Sequence, residues 1–159
     1  FCCYTQVEVS IVEAIAVAES VATEAALAAS VRAAVSKVEG LSALDRMRAH
    51  IPCPLLRDGA CSVYAVRPRS CRALTSYDAT ACEAEFNTPT LEPAARPTFT
   101  WPRYLATALT SGIATACGDL KLQSNTVELV GGVSTVLDDD TAVSRWLAGE
   151  TVFAQSALR

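Results

Sequence analysis

The sequence predicts a small, mostly α-helical domain with an irregular, cysteine-rich central segment and room for one short β piece. Three observations carry that prediction. Apolar residues recur at helical spacing over the first forty positions and again beyond position 103. Between Cys53 and Arg72 that period fades, and Pro54, Asp58-Gly59 and Pro68 punctuate the chain. Hydrophobic residues make up 51% of the 159 positions but aromatics only 6%, so the core must come from Ala, Val and Leu, which suits close helix packing.

Val7 and Val9 alternate with polar neighbours, as in a short extended piece. Ser10 and Glu13 then form S-x-x-E, a capping box that opens a helix. Ile11, Ala14, Ile15, Ala18 and Ala22 continue it at helical spacing. A second helix follows Thr23 with Leu27, Val31, Ala34, Val35 and Val38, and Gly40 closes it. "LSALDRMRAHIP" predicts a short helix stopped by Pro52. "CSVYAV" alternates as a short strand does, and "SYDATACEAEF" predicts a turn into a short helix with Asp78 as N-cap. "NTPTLEPAARPTFTWP" carries four prolines and reads as a surface loop over 87–102. Helices are expected over 103–116, 126–137 and 140–148, the middle one weakened by Gly131 and Gly132. A cap at Asp139 or Asp140 starts the last of them and Gly149 ends it. Asp138, Asp139 and Asp140 read as a solvated helix junction rather than a magnesium site. The organisation is one domain: residues 1–86 hold the cysteine cluster, 87–102 the Pro-rich loop and 103–159 the C-terminal helices.

A net charge of -4 argues against general nucleic-acid binding, which wants a basic surface. No apolar run is long enough to span a bilayer; the richest, 11–35, is broken by Glu13, Glu19, Glu24 and Arg32. There is no P-loop, no G-x-G-x-x-G and no G-x-S-x-G. Seven cysteines form an odd count in a chain whose core needs no staples. Both facts favour metal binding or redox chemistry in a reducing compartment, the cytoplasm, over a disulfide-stapled module.

Cys53, Cys61, Cys71 and Cys82 fall within thirty residues, separated by seven, nine and ten positions. These intervals are not the C-x-x-C pairs of a zinc ribbon. They suit loops that each return one thiolate to a common point, which Cys2 and Cys3 could also reach from before the first helix. Six of the thirteen basic residues lie in the same region: Arg46, Arg48, Arg57, Arg67, Arg69 and Arg72. Four thiolates around zinc, or around a four-iron cluster, leave a net charge of about -2 that guanidinium groups would stabilise. The same arginines read equally as surface solubilisers or ion-pair partners. His50, the only histidine, reads as a helix-end residue before it reads as a ligand. Cys117 reads as a buried structural thiol.

"CPLLRDGACSVYAVRPRSCRALTS", with Cys82 after it and the Cys2-Cys3 pair before a "VEVSIVEA" helix start, resembles the YkgJ-like cysteine-cluster proteins. That family is described as a zinc- or iron-chelating domain, with the flagellin lysine methylases as distant relatives. Its pattern of CP-x-L, C-x-x-Y-x-x-RP-x-x-CR and a last cysteine is matched by Cys53-Pro54, Cys61, Tyr64, Arg67-Pro68, Cys71-Arg72 and Cys82. The resemblance covers residues 1 to 86. It implies zinc or iron, including an iron–sulfur cluster, held by Cys2, Cys3, Cys53, Cys61, Cys71 and Cys82. The only methionine is Met47, so Phe1 does not read as a translational start, and the family's earlier cysteine is expected before it. The methylase relatives imply group transfer instead of a purely metal-holding role, with Arg67, Arg72 and Tyr64 lining a pocket, although no nucleotide-binding loop is present. The same thiols would also suit a thiol-redox enzyme, or an accessory subunit with a protein partner.

Overall fold

Two strands, each running directly into a capped helix, organise the molecule. The computed structural model describes residues 1–90 and 97–153, and the expected C-terminal positions 154–159 and part of the Pro-rich loop lie outside them. Strand β1 (Glu8–Ser10) leads into α1 (Ile11–Ala22), and β4 (Thr126–Glu128) leads into α7 (Leu129–Asp138). The strands pair antiparallel, Val9 opposite Val127, so both helices leave the same small sheet. Ser10 Oγ accepts from the Glu13 amide at 3.3 Å and Glu13 Oε2 accepts from the Ser10 amide at 3.0 Å, the reciprocal box expected from S-x-x-E. Glu128 caps α7 by accepting from the Gly131 amide at 2.9 Å.

Helix α2 (Ala25–Val38) completes the core layer, and Gly40 at φ 74° turns the chain out of it. Only glycine takes that left-handed conformation without strain. Ala14, Val17, Ala18 and Val21 of α1 meet Leu27 and Val31 of α2 and Leu129, Val130 and Val133 of α7, all nearly inaccessible. Each fully buried valine or leucine contributes about 1.5–3 kcal/mol. The expected helix over 126–137 is therefore partly a strand: residues 126–128 are pulled into pairing with β1 by partners that no local pattern reveals. Gly132, which weakens the helix in isolation, sits where α7 crosses closest to α1. A Cβ there would lie 2.7 Å from Val127 Cγ2 and 3.1 Å from Ala14 Cβ.

The remaining elements wrap this layer. They are α3 (Ala43–Arg48), the hairpin β2 (Leu56–Arg57) and β3 (Ala60–Cys61), α4 (Arg69–Ala73), α5 (Ala79–Asn87), α6 (Thr100–Asp119) and α8 (Ala142–Leu147). Asp58 and Gly59, at φ 50° and 76°, make the two-residue turn that a right-twisted hairpin requires. "CSVYAV" is not a strand beyond Cys61; Tyr64–Val66 forms a 3₁₀ turn, because Arg72 holds the carbonyls of Tyr64, Ala65 and Arg67. Helix α5 extends to Asn87 and α6 begins at Thr100, so the Pro-rich connection is shorter at both ends than its composition suggests. Trp146 of α8 is buried and donates to the Gln123 carbonyl at 2.9 Å, while the Gln123 side chain holds Val152 and Phe153. No described helix is long and apolar enough to cross a membrane.

Three substitutions test this frame. Gly132→Ala is expected to destabilise by about 1–3 kcal/mol through overpacking, whereas Gly131→Ala, with only Glu128 Oε2 at 3.9 Å, is tolerated; urea unfolding distinguishes them. Arg46 is 3% exposed and its Nη1 meets Glu128 Oε1 at 3.0 Å. Arg46→Met strands that carboxylate and is expected to cost about 3–5 kcal/mol at neutral pH. Burial already pushes the Glu128 carboxyl above its ordinary value. A carboxyl with a raised folded pKa favours folding at low pH and loses that contribution as pH rises. The deficit of Arg46→Met should accordingly shrink as the solution is acidified.

Candidate functional site

The cysteine-rich segment is fastened to the two strand–helix joints by side chains that also cap the helices. Glu13, the second half of the α1 capping box, accepts from the Arg69 amide at 2.7 Å and pairs with Arg69 Nη2 at 2.9 Å. Arg69 Nη2 also donates to Ser10 Oγ at 3.1 Å, and Ser70 Oγ donates to the Glu8 carbonyl at 3.1 Å. Helix α4, which carries Cys71, is thus set against the start of α1. On the other side Arg46 of α3 reaches Glu128, fixing the chain a few residues before Cys53. The Cys53 amide donates to the Cys3 carbonyl at 2.7 Å, which ties the N-terminal pair to the central loops.

Five thiols share one neighbourhood. Cys2 and Cys3 hydrogen-bond each other, and that bond lowers the Cys2 thiol from 9.0 to about 6, against the effect of burial and with a smaller contribution from Arg67. The same bond, with burial and the charges of Cys2 and Cys53, pushes Cys3 the other way. Burial raises Cys53, and the charge of Cys61 adds to it while Arg46 opposes. Cys71 is pushed up to about 11 by burial and then by the charges of Cys53, Cys61 and Cys2, with Arg67 opposing. Cys2, Cys3, Cys53, Cys61 and Cys71 therefore lie within electrostatic reach of one another. Cys82, on α5, joins them by another route: it and Cys2 line one cavity of about 260 Å³, walled also by Met47, Leu74, Phe86 and Thr98. Cys117 is buried in the apolar core, against which Cys53 and Cys61 also pack. All seven cysteines are free.

The arginines divide into two sets. Arg46, Arg57 and Arg69 are taken up by Glu128, Glu24 and Glu13, and Arg72 by loop carbonyls. Arg67 has no carboxylate partner among the described residues. Its guanidinium lies 4.8 Å above the ring of the exposed Tyr64, its buried Nε makes no hydrogen bond, and its charge acts on Cys2 and Cys71. His50, at φ 49°, stacks on Phe86 at 4.3 Å, and Phe86 also packs against Tyr4 and Phe1. The role of Phe86 in closing the cavity was not legible in sequence, although its position four residues after Cys82 puts both on one face of α5.

A donor set of thiols with a nearby guanidinium suits a thiophilic cation such as zinc or iron. The spacing is open: among the described residues, no three Cys, His, Asp or Glu side chains stand close enough together to hold one metal ion. Ligation by three or more of these side chains would require them to come closer together than they stand here. Compared with known proteins, the chain matches no family model, no curated protein and no solved structure.

The thiol electrostatics are directly measurable. Iodoacetamide labelling of Cys2 should show a midpoint near pH 6, and Cys71 one near pH 11. Cys3→Ala removes the bond that holds the Cys2 thiolate, so its midpoint should move up towards the ordinary thiol range. A Cys2 profile unchanged in that variant would contradict the assignment.

Proposed function

We propose that this protein binds zinc or iron through thiolates drawn from Cys2, Cys3, Cys53, Cys61, Cys71 and Cys82. The observation that carries the reading is the gathering of five thiols, from four separated stretches of chain, into one region where neighbouring thiolate charges oppose the ionisation of Cys3, Cys53 and Cys71. A cation at their centre would relieve that repulsion, and binding would release protons, so affinity should rise with pH. Zinc would supply a structural tie between loops, and an iron–sulfur cluster would supply electron transfer or sensing. Arg67 offsets the negative charge of the site. The match of Cys53 through Cys82 to the YkgJ-like pattern supports the same reading, as does the local tethering by Glu13 and Glu128. A reducing compartment, the cytoplasm, is the setting in which such thiols persist.

A second reading, thiol-based transfer or redox chemistry, is favoured by one observation: the most acidic thiol, Cys2, opens on the cavity it shares with Cys82. Metal analysis of protein purified without oxygen separates the two. The metal reading expects zinc or iron retained through gel filtration, with Cys71→Ser lowering both metal content and thermal stability. Cys117→Ser should leave metal content alone. Metal-free protein that stays unloaded after anaerobic addition of zinc or ferrous iron, or equal loss in both variants, would overturn the metal reading.

A further inference from the structure

The cavity that Cys2 shares with α5 offers an exposed thiol to a small apolar molecule. Cys2 is exposed and lines it, whereas Cys3, Cys53, Cys61, Cys71 and Cys82 are half-buried. Met47, Leu74 and Phe86 give the cavity hydrocarbon walls. Thr75 lines it too, and its buried hydroxyl makes no hydrogen bond among the described residues. None of the described side chains lining it is basic, and Glu85 adds a carboxyl, so an anionic molecule finds no partner there. The volume, about 260 Å³, falls below the roughly 300–1,000 Å³ of drug-sized pockets, which limits the occupant to a small one. The Cys3 thiol hydrogen-bonds the Cys2 sulfur. A second thiol in sulfur contact is what a redox cycle at Cys2 needs.

We propose that this cavity binds small alkyl hydroperoxides and that Cys2 reduces them, with Cys3 as the resolving thiol. This rests on the thiol-redox reading of the same cavity and names its substrate. An alkyl hydroperoxide is uncharged and compact, and it joins a hydrocarbon body to an oxygen head that a hydroxyl can bond. A dialkyl disulfide lacks that head. The Cys2 sulfur attacks the terminal peroxide oxygen, so that an S–O bond forms as the O–O bond breaks. The alkoxide leaves as an alcohol, taking the thiol proton. The Cys3 sulfur then attacks the Cys2 sulfenic acid, forming an S–S bond and releasing water. Two thiols and one hydroperoxide thus become one disulfide, one alcohol and one water, and the two electrons come from the sulfurs. A dithiol reductant restores both thiols by exchange and departs as its own disulfide.

Single-turnover oxidation of the reduced chain, quenched and mapped by mass spectrometry, tests the proposal with cumene hydroperoxide and hydrogen peroxide side by side. The expected product is a Cys2–Cys3 disulfide. Cumene hydroperoxide should form it at least about tenfold faster than hydrogen peroxide, the discrimination that a methylene or two gives in an apolar pocket. Cys3→Ala should leave Cys2 as a sulfenic acid that dimedone traps. Ala79, exposed at the start of α5, also lines the cavity. Ala79→Phe crowds it and should bring the two peroxides level. Equal rates in the unaltered chain, a preference that survives Ala79→Phe, or faster oxidation by diethyl disulfide overturns the substrate assignment and leaves the thiol-redox reading standing. A disulfide from Cys2 to any other cysteine overturns the resolving role of Cys3. A Cys2 thiol unreactive towards both peroxides overturns the proposal and that reading together.

Discussion

Two glutamates hold the cysteine-rich segment to the helical body. Glu13 completes the cap of α1 and Glu128 forms the cap of α7, and each also receives an arginine from the segment that bears the thiols. Because β1 and β4 pair antiparallel, with Ser10 opposite Thr126 and Glu8 opposite Glu128, the two caps stand at opposite ends of one small sheet. The thiol neighbourhood is therefore positioned from two fixed points. A carboxylate in this role does more than add an ion pair: it answers helix amides left without partners and a buried guanidinium with the same two oxygens.

That economy has an electrostatic consequence for the thiols. Arg46 and Arg69 are occupied by carboxylates, so their positive charge is largely cancelled close at hand. Arg67 alone of the local arginines acts on both Cys2 and Cys71. Burial and mutual repulsion keep most of the thiols protonated, and the Cys2-Cys3 bond concentrates the available acidity on one sulfur. A region so arranged resists carrying several negative charges unless a cation joins it, which is the physical basis for reading it as a metal site. The cavity between Cys2 and Cys82 gives the most acidic thiol an opening to small molecules.

The helical body and the thiol segment differ in how they are stabilised. The layer of α1, α2 and α7 is buried and built from small side chains at close approach, with Gly132 set into the gap between Ala14 and Val127. The thiol segment has short elements, few apolar anchors and many side-chain-to-backbone bonds. Local opening of such a segment costs less than opening the core, and this is where the thiols would have to move to close on a metal.

What the sequence determined by itself is local. Ser10-x-x-Glu13, Asp78, Asp58-Gly59, Gly40 and Gly149 each placed a cap or a turn, because these signals act within a few residues of backbone. Helical periodicity placed Leu27, Val31 and Ala34 of α2 in the core and Ile11, Ala14 and Ala18 of α1, but it favoured Ala22, which is exposed, over Val17 and Val21, which are fully buried. The small apolar residues before Cys117 marked it as buried. Long-range partners lay beyond it. Residues 126–128 became a strand only because β1 was there to pair with. The arginines between 46 and 72 formed a single basic cluster in sequence, and folding divided them between glutamates, carbonyls and thiols. The six cysteines matched one pattern, yet only the tertiary structure distinguished five mutually interacting thiols from Cys82 across a cavity. Backbone caps are decided by neighbours in the chain, whereas charge pairing and the convergence of thiols are decided by distance in space.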